Sequence, residues 1–179
     1  IRDRAMALQW TSDFHRPTVV RECLYNDVVV RIEAEDRGDY LMVLQVEEPV
    51  TLTIGSKGDM YFEPGYYVYV GSAKANLEKR IERHKRKRKK KHWHLDYLRS
   101  VSTVIAALPI RSSSDLECEL AKAMKAISVD EVKGFGCSDC HCDSHLFKMD
   151  VNPIHDERFM IEVVEQFRMN RLNTMMLDR

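Results

Sequence analysis

The sequence has no long apolar run, and none of its stretches approaches the ~20 consecutive apolar residues that a membrane-spanning helix requires. Its first residues, Ile1 to Arg4, are too polar for a secretory signal. The five cysteines are an odd number, and three of them fall within six residues, unlike the spread, even set of a disulfide scaffold. Because reduced thiols are typical of the cytosol, we expect a cytoplasmic protein without a membrane segment. The chain also begins without Met, so we expect it to be a piece of a longer protein.

The composition is that of a folded domain. Hydrophobic residues make up 44% of the 179 residues, enough for a core in one medium domain with appendages. Charged residues make up 31% and are spread over most of the length, which excludes a disordered polymer.

The zero formal net charge conceals a strong polarity along the chain. Twelve Lys or Arg and three acidic residues lie between Ser72 and Ser100, a local charge of +9. The rest of the chain carries 16 basic and 25 acidic residues, a charge of −9. This asymmetry predicts a basic surface on an acidic body, which is typical of a protein that binds a polyanion.

Apolar periodicity predicts strands first and helices afterwards. Strands are predicted at residues 28–32, 40–46, 50–54, 65–71 and 101–108, the last of them ended by Pro109. Helices are predicted at residues 76–88, after the N-cap cluster Ser112–Asp115, and from His155 onward. This order indicates an α+β fold with a small mixed or antiparallel sheet flanked by helices.

The stretch from Tyr69 to His84 reads YVGSAKANLEKRIERH and combines groups suited to phosphodiester chemistry. Strand alternation puts Tyr67 and Tyr69 on one face, and Gly71 permits a close approach of backbone or phosphate. Arg80 and His84 are four residues apart and therefore share a helix face. Arginine can hold a phosphate through paired hydrogen bonds, and histidine can relay a proton near neutral pH.

This stretch resembles the second half of the GIY-YIG nuclease motif, in which a strand ending Tyr-x-Gly precedes a helix carrying Arg. It is also similar to the N-terminal domain of the UvrC-type excision-repair nuclease, with Ser72 in place of a lysine and Ala75 as an extra residue. Together with WHLDY from Trp93, ECELA from Glu117 and GCSDCHCDSHLF from Gly136, the resemblance is to the Uri-type branch. It covers roughly residues 38 to 148. The division that follows is an N-terminal appendage (1–35), a GIY-YIG-like nuclease domain (36–148) and a C-terminal helical segment (149–179).

The resemblance implies a catalytic set of Tyr40, Tyr69, Arg80 and His84. It also implies that Glu117 holds Mg²⁺ or Mn²⁺, for which a carboxylate is a suitable hard ligand. The first motif half is assigned to Gly38-Asp-Tyr40, although it lies 29 positions before Tyr69 and Gly65-Tyr-Tyr67 is a competing match. Glu119 is an alternative to Glu117. Ser138 or Asp139 could replace the late Asn of some relatives.

The segment Lys79–Lys91, called the basic segment below, contains ten Lys or Arg and one acid, Glu82. Such uncompensated charge favours contact with nucleic-acid phosphates. Trp93 could stack on a base or pack in the core, and Asp96 could orient a histidine. The predicted nucleic-acid-binding residues are Lys74, Lys79, Arg83, Lys85, Arg86, Lys87, Arg88, Lys89, Lys90 and Lys91.

The loop residues Cys137, Cys140, Cys142 and His145 offer enough soft ligands for tetrahedral zinc. Their spacing is cramped and lacks the distant second pair of a zinc finger, so we expect hydrogen-bonded thiols rather than zinc.

The function expected from the sequence is a metal-dependent endonuclease, with DNA favoured over RNA as its partner. The alternative is an inactive nucleic-acid-binding module of the same fold. The amphipathic C-terminal helix is expected to cover the core, and contact with a second copy is its alternative role.

Overall fold

The computed structural model describes residues 35–177, so the predicted strand at residues 28–32 and almost all of the N-terminal appendage lie outside the described residues. The main sheet has five strands: β1 (Gly38–Val46), β4 (Gly65–Ala73), β5 (Thr103–Arg111), β6 (Asp130–Glu131) and β7 (Leu146–Met149). Their order is β5-β1-β4-β7-β6, and every neighbouring pair is antiparallel. The α+β prediction is therefore confirmed, and the sheet is antiparallel.

Two strands of the main sheet are joined by a small inserted sheet. The residues between β1 and β4 form β2 (Val50–Thr53) and β3 (Asp59–Phe62), paired with each other outside the main sheet. β1 and β4 nevertheless pair directly, with Tyr40 opposite Gly71 and Met42 opposite Tyr69. The insertion explains why two tyrosines 29 positions apart in sequence lie on adjacent strands.

Helices cover both faces of the main sheet. They are α1 (Leu77–Lys85), α2 (His94–Val101), α3 (Glu117–Ile127), a π-helical stretch (Arg158–Glu165) and α4 (Gln166–Leu177). On one face Tyr40, Tyr69 and neighbouring strand residues form a core with Leu77 and Ile81 of α1 and with α2. On the other face Leu41, Val43, Val68 and Val70 pack against α3 and against Phe159, Val163 and Val164. The C-terminal segment thus contributes to the core. Among residues 35–177, no helix has the length and apolar character needed to cross a bilayer.

Pro109 does not end its strand, contrary to the prediction. β5 continues to Arg111, with Pro109 opposite Tyr40 of β1. β5 is an edge strand, and an edge can accept a residue without a backbone N–H. The carbonyl of Pro109 accepts hydrogen bonds from Arg168 of α4, at 3.1 Å from Nη2.

Helix α1 ends three residues before the predicted Arg88. Its C-terminal carbonyls at Arg83 and His84 each accept a hydrogen bond from Lys89 Nζ, at 2.9 Å. A lysine that folds back in this way satisfies carbonyls that have no partner within the helix. Helix α2, which directly follows the basic segment, was not predicted.

The N-terminus of α3 is bound by two carboxylates, one from a remote strand and one from the predicted N-cap cluster. Asp39 of β1 accepts a hydrogen bond from the backbone N–H of Leu116 at 3.2 Å, and Asp115 Oδ1 accepts one from the Glu117 N–H at 3.4 Å, whereas Ser112 Oγ accepts from Ser114. Asp39 is 1% exposed, and its second carboxylate oxygen has no hydrogen-bond partner among residues 35–177. Burial, with the nearby acids Asp115, Glu117 and Glu119, raises the pKa of Asp39 to about 7, although the Leu116 bond opposes the shift.

This raised pKa predicts how stability depends on pH. Between about pH 4 and pH 7 the folded chain holds a proton on Asp39 that the unfolded chain has released. The contribution of Asp39 to the free energy of unfolding therefore falls as pH rises through this window, by up to about 1.4 kcal/mol per pH unit. Asp39→Asn should remove this dependence while keeping an oxygen for the Leu116 N–H.

The measurement is urea denaturation of parent and Asp39→Asn from pH 4 to pH 8. The comparison between the two proteins is needed because His84, whose pKa burial lowers to about 4, has the opposite effect on stability below its ordinary pKa of 6.5. Parallel stability curves for the two proteins would contradict the prediction.

Candidate active site and metal centre

A cleft of about 250 Å³ opens where β1 begins, β4 ends and α3 starts. Tyr40, Tyr69, Arg80, His84 and Glu117, the predicted catalytic and metal-binding residues, all line it. The other lining residues are Ser72, His92, Trp93, His94, Gly136, Ser138 and Asp139. The structure therefore brings together five side chains that lie on two strands and two helices.

Three rings form the apolar wall of the cleft. The ring centroids of Tyr40 and His84 are 5.9 Å apart, and those of Tyr69 lie 6.3 Å from Tyr40 and 6.5 Å from His84. Gly71 is required by this packing, because a Cβ there would lie 2.5 Å from the Tyr40 hydroxyl. The competing tyrosine, Tyr67, does not line the cleft; its hydroxyl donates to the Glu63 carbonyl at 2.9 Å.

Burial keeps these rings uncharged near neutral pH. It raises the pKa of Tyr40 and of Tyr69 well above the ordinary value, and the Glu117 charge acts in the same direction on both. Burial also lowers the pKa of His84 to about 4, although the Asp96 carboxylate opposes the shift. The cleft thus presents neutral phenols beside a neutral imidazole.

Arg80 is the cationic group of the cleft. It lies on α1, half-buried, with its guanidinium carbon 5.1 Å from the centre of the Trp93 ring. Arg83 lies over the same ring at 4.2 Å. Trp93 is half-buried, and its ring contacts the two arginines. This role differs from the two expected from the sequence, stacking on a base and packing in the core.

Asp96, which follows the basic segment, pairs with two of its cationic side chains. Its buried carboxylate accepts two hydrogen bonds from Arg83, both at 3.0 Å, and others from the backbone N–H groups of His92 and Trp93. Lys89 Nζ lies 3.0 Å from Asp96 Oδ1, and His84 Nδ1 lies 3.4 Å from the same oxygen. Burial alone would raise the pKa of Asp96, but the hydrogen bonds from Arg83, His92, Lys89 and Trp93 hold it well below the usual range.

The predicted nucleic-acid-binding residues therefore fall into two groups. Arg83 and Lys89 are half-buried and paired with Asp96. The remaining members have exposed side chains: Lys74, Lys79, Lys85, Arg86, Lys87, Arg88, Lys90 and Lys91. Lys85 forms an exposed pair with Glu82 at 2.6 Å. Apart from Lys74, which precedes α1, the exposed group lies on the same helix and loop that contribute Arg80 and His92 to the cleft.

Glu117 is held from two sides at the start of α3. Its Oε2 accepts a hydrogen bond from Ser72 Oγ at 3.0 Å, and its Oε1 lies 3.5 Å from His145 Nδ1. Its side chain is 18% exposed, so one part of the carboxylate remains accessible from the cleft. The alternative acid, Glu119, is exposed and lines a different hollow.

Four side chains form a cluster that could hold a metal ion: Cys118, Cys140, Cys142 and His145. We call these four residues the thiol cluster; their ligand atoms all lie within 4.8 Å of one another. Three sulfurs and an imidazole nitrogen are the donor set of a tetrahedral soft-metal site. Burial and the adjacent thiols raise the pKa of Cys142.

The membership of this cluster corrects the predicted ligand set. Cys137 is not part of it, and its Sγ points instead to the Asp143 carbonyl, at 3.5 Å. Cys118, on α3, takes its place. Sequence spacing could not identify Cys118, because it lies 22 residues before Cys140 and joins the loop only through the fold.

His94 is another residue of the cleft to which no role was assigned. Its Nδ1 accepts a hydrogen bond from the Gly136 N–H at 2.9 Å, which fixes the wall that carries Ser138 and Asp139. Its position directly after the basic segment was the only signal for it in the sequence.

The comparisons with known proteins give one match. A family model described as "Domain of unknown function DUF123" matches residues 39–169. This range includes the whole cleft, the thiol cluster and most of the buried residues of the C-terminal segment, such as Phe159, Val163 and Val164. No curated protein and no solved structure matches the chain.

Asp96→Asn should destabilise the fold, because it leaves Arg83 and Lys89 without their buried counter-charge. Removing one partner of a buried ion pair lowers the free energy of unfolding by about 3–5 kcal/mol. Glu82→Gln is the matched control, because it removes a carboxylate from the exposed pair with Lys85 and should cost under about 1 kcal/mol. Urea denaturation at neutral pH measures both, and equal effects would show that Asp96 has no special role.

Proposed function

The chain belongs to the DUF123 family, and on that premise we propose that it is a divalent-metal-dependent endonuclease that cleaves nucleic acid, with DNA favoured over RNA. The observation that carries the proposal is the convergence of Tyr40, Tyr69, Arg80, His84 and Glu117 on one cleft. The resemblance of the Tyr69–His84 stretch to the GIY-YIG motif supports the same reaction.

In the proposed mechanism, Glu117 holds Mg²⁺ or Mn²⁺. Such a cation, when bound, stabilises negative charge on the phosphate and on the leaving oxygen. Mg²⁺ typically takes one or two carboxylates together with waters, and Asp139 is a second carboxylate on the cleft wall. Arg80 clamps a non-bridging phosphate oxygen, and its charge offsets the charge that develops there.

Tyr69 then orients the attacking water, and His84 receives its proton. The raised pKa of Tyr69 favours an orienting phenol over a phenolate base. Asp96 Oδ1, 3.4 Å from His84 Nδ1, favours a proton on that nitrogen and leaves Nε2 as the acceptor. The pKa of about 4 keeps His84 neutral at neutral pH but also makes it a weak base, so it takes the proton only as the water attacks the phosphate. Tyr40 packs against both rings and fixes their positions.

The exposed members of the basic segment would hold the substrate. Seven exposed Lys or Arg side chains of this segment, together with Lys74, form a surface with little compensation for successive phosphates, next to the cleft. The same surface supports the alternative function, an inactive nucleic-acid-binding module. Cleavage distinguishes the two functions, because both predict binding.

The thiol cluster would hold zinc, in addition to the cation at Glu117. Ligand atoms around tetrahedral zinc lie roughly 3.5–3.8 Å apart, so the cluster needs only a small contraction. Sequence spacing alone favoured metal-free thiols. The inclusion of Cys118 changes that preference, because it adds the distant ligand that the loop lacked.

Contact with a second copy remains a proposal for the C-terminal segment. Its core-facing side is used, but Ile161 and Met169 on its outer side are 56% and 42% exposed. These two residues offer an apolar surface to a partner helix.

The nuclease proposal predicts that Glu117→Gln, Arg80→Ala and Tyr69→Phe each lower the cleavage rate. Removing a single group that stabilises the transition state costs about 10²- to 10³-fold in rate. Affinity for the same nucleic acid should change much less, because the basic segment is intact. The assay is cleavage of duplex, branched and single-stranded DNA and of RNA, with and without Mg²⁺ or Mn²⁺.

Each variant has a matched control outside the cleft. Glu119→Gln changes an exposed acid of the same helical turn, Tyr67→Phe changes a tyrosine on the same strand, and Lys122→Ala removes an exposed cation of α3 that is not among the predicted binding residues. The controls should cleave at nearly the parent rate. If the three test variants cleave as fast as the parent, or if the parent binds without cleaving, the binding module is the better account.

The zinc proposal predicts about one zinc per purified chain. Cys118→Ser should lose it, since three ligands hold the ion less tightly than four. Cys137→Ser should keep it, because that thiol points away from the cluster. Elemental analysis of protein purified under reducing conditions measures the zinc content of both variants. If Cys137→Ser loses zinc and Cys118→Ser keeps it, the ligand set expected from the sequence is the better one.

A further inference from the structure

The carboxylate of Glu117 lies between the cleft and the thiol cluster. One oxygen accepts from Ser72 Oγ at 3.0 Å, and the other lies 3.5 Å from His145 Nδ1. The next residue along α3, Cys118, belongs to the thiol cluster. The proposed cleft ligand and the thiol cluster are therefore neighbours both along the helix and through a histidine.

His145 is buried, and its two ring nitrogens face different groups. Nε2 lies 3.4 Å from Cys140 Sγ, whereas Nδ1 faces Glu117 and makes no hydrogen bond of normal geometry within the described part of the chain. The ring is fully enclosed, so Nδ1 has no access to water. A metal on Nε2 leaves the proton on Nδ1, and a buried N–H without an acceptor is costly. Glu117 Oε1 is positioned to be that acceptor after a small movement.

We propose that His145 is a positioning residue that couples a metal ion in the thiol cluster to the orientation of the Glu117 carboxylate. The inference rests on the proposed function, because it gives Glu117 its role in the cleft. Metal-binding histidines commonly donate their second N–H to a carboxylate, which fixes the ring and strengthens the metal site. Here that carboxylate is also the proposed cation ligand of the cleft, so the metal would hold it in place for catalysis.

The cleft wall supports the same coupling. Ser138 and Asp139 line the cleft and directly precede Cys140, a member of the thiol cluster. The Cys140 ligand therefore anchors the loop that carries these two residues. A metal in the thiol cluster would fix the start of α3 through Cys118 and the opposite wall through Cys140.

The test is the metal affinity of the thiol cluster, measured without nucleic acid. The metal-free full chain is titrated with Co²⁺, followed by its thiolate absorption, and Zn²⁺ then displaces the Co²⁺ in the presence of a chelator of known affinity. Glu117→Ala should weaken zinc binding by about 10- to 100-fold, the usual effect of losing such a partner. Glu117→Gln keeps an acceptor oxygen and should lose clearly less. Glu119→Ala, one exposed acid further along the same helix, should bind as tightly as the parent.

Three results would overturn the coupling: a parent that does not bind zinc, a Glu117→Ala variant that binds as tightly as the parent, or equal losses from Ala and Gln at this position. Equal losses would mean that the charge of Glu117 acts alone, without the hydrogen bond. This measurement is independent of the nuclease proposal. Weakened zinc binding in Glu117→Ala with no cleavage by the parent would refute the nuclease and keep the coupling, whereas cleavage without an affinity change would do the opposite.

Discussion

The buried carboxylate of Asp96 is the interaction on which the basic side of the molecule depends. Ten Lys or Arg within Lys79–Lys91 repel one another, and a segment of this composition would otherwise extend into solvent. Asp96 removes two of these charges from the surface by pairing with Arg83 and Lys89, and it binds two backbone N–H groups at the start of α2. The same oxygen that faces Lys89 also faces His84. One acid thus folds the segment, begins a helix and fixes a cleft residue.

The cleft is assembled by contacts that are distant in sequence, one within the sheet and others between the sheet and α3. Gly71 allows the rings of Tyr40 and Tyr69 to meet above the sheet, where any side chain would collide with both. Ser72, the next residue, reaches Glu117 on the opposite layer. Asp39 binds the N–H of Leu116, directly before α3, and so helps to place Glu117. The two candidate metal sites are neighbours at this end of the sheet, through Glu117 and His145.

Much of this architecture could be predicted from the sequence, because it follows from local patterns. The aromatic and β-branched run at residues 65–71 led to the correct strand, and apolar spacing led to the helix after it, although the predicted end of that helix was three residues too late. What could not be predicted depends on the folded structure: the contact of Asp39 with the start of α3, the end of α1 set by Lys89, and the candidate metal ligand Cys118. Asp39 and Cys118 find partners far along the chain, and Lys89 folds back five and six residues onto the helix end. Such partners cannot be inferred from the spacing of residues in the sequence.

The edge strand β5 illustrates how a single residue can affect behaviour in concentrated solution. Its outer side is an open row of backbone groups, which in an isolated sheet would template pairing with another chain. Pro109 interrupts that row because it has no N–H, and its own carbonyl accepts hydrogen bonds from Arg168. A strand of a second molecule would need a continuous ladder of backbone hydrogen bonds along this edge. At Pro109 it finds no N–H donor, and the carbonyl is already bound by the Arg168 guanidinium. Within residues 35–177 this edge is therefore protected against intermolecular sheet extension.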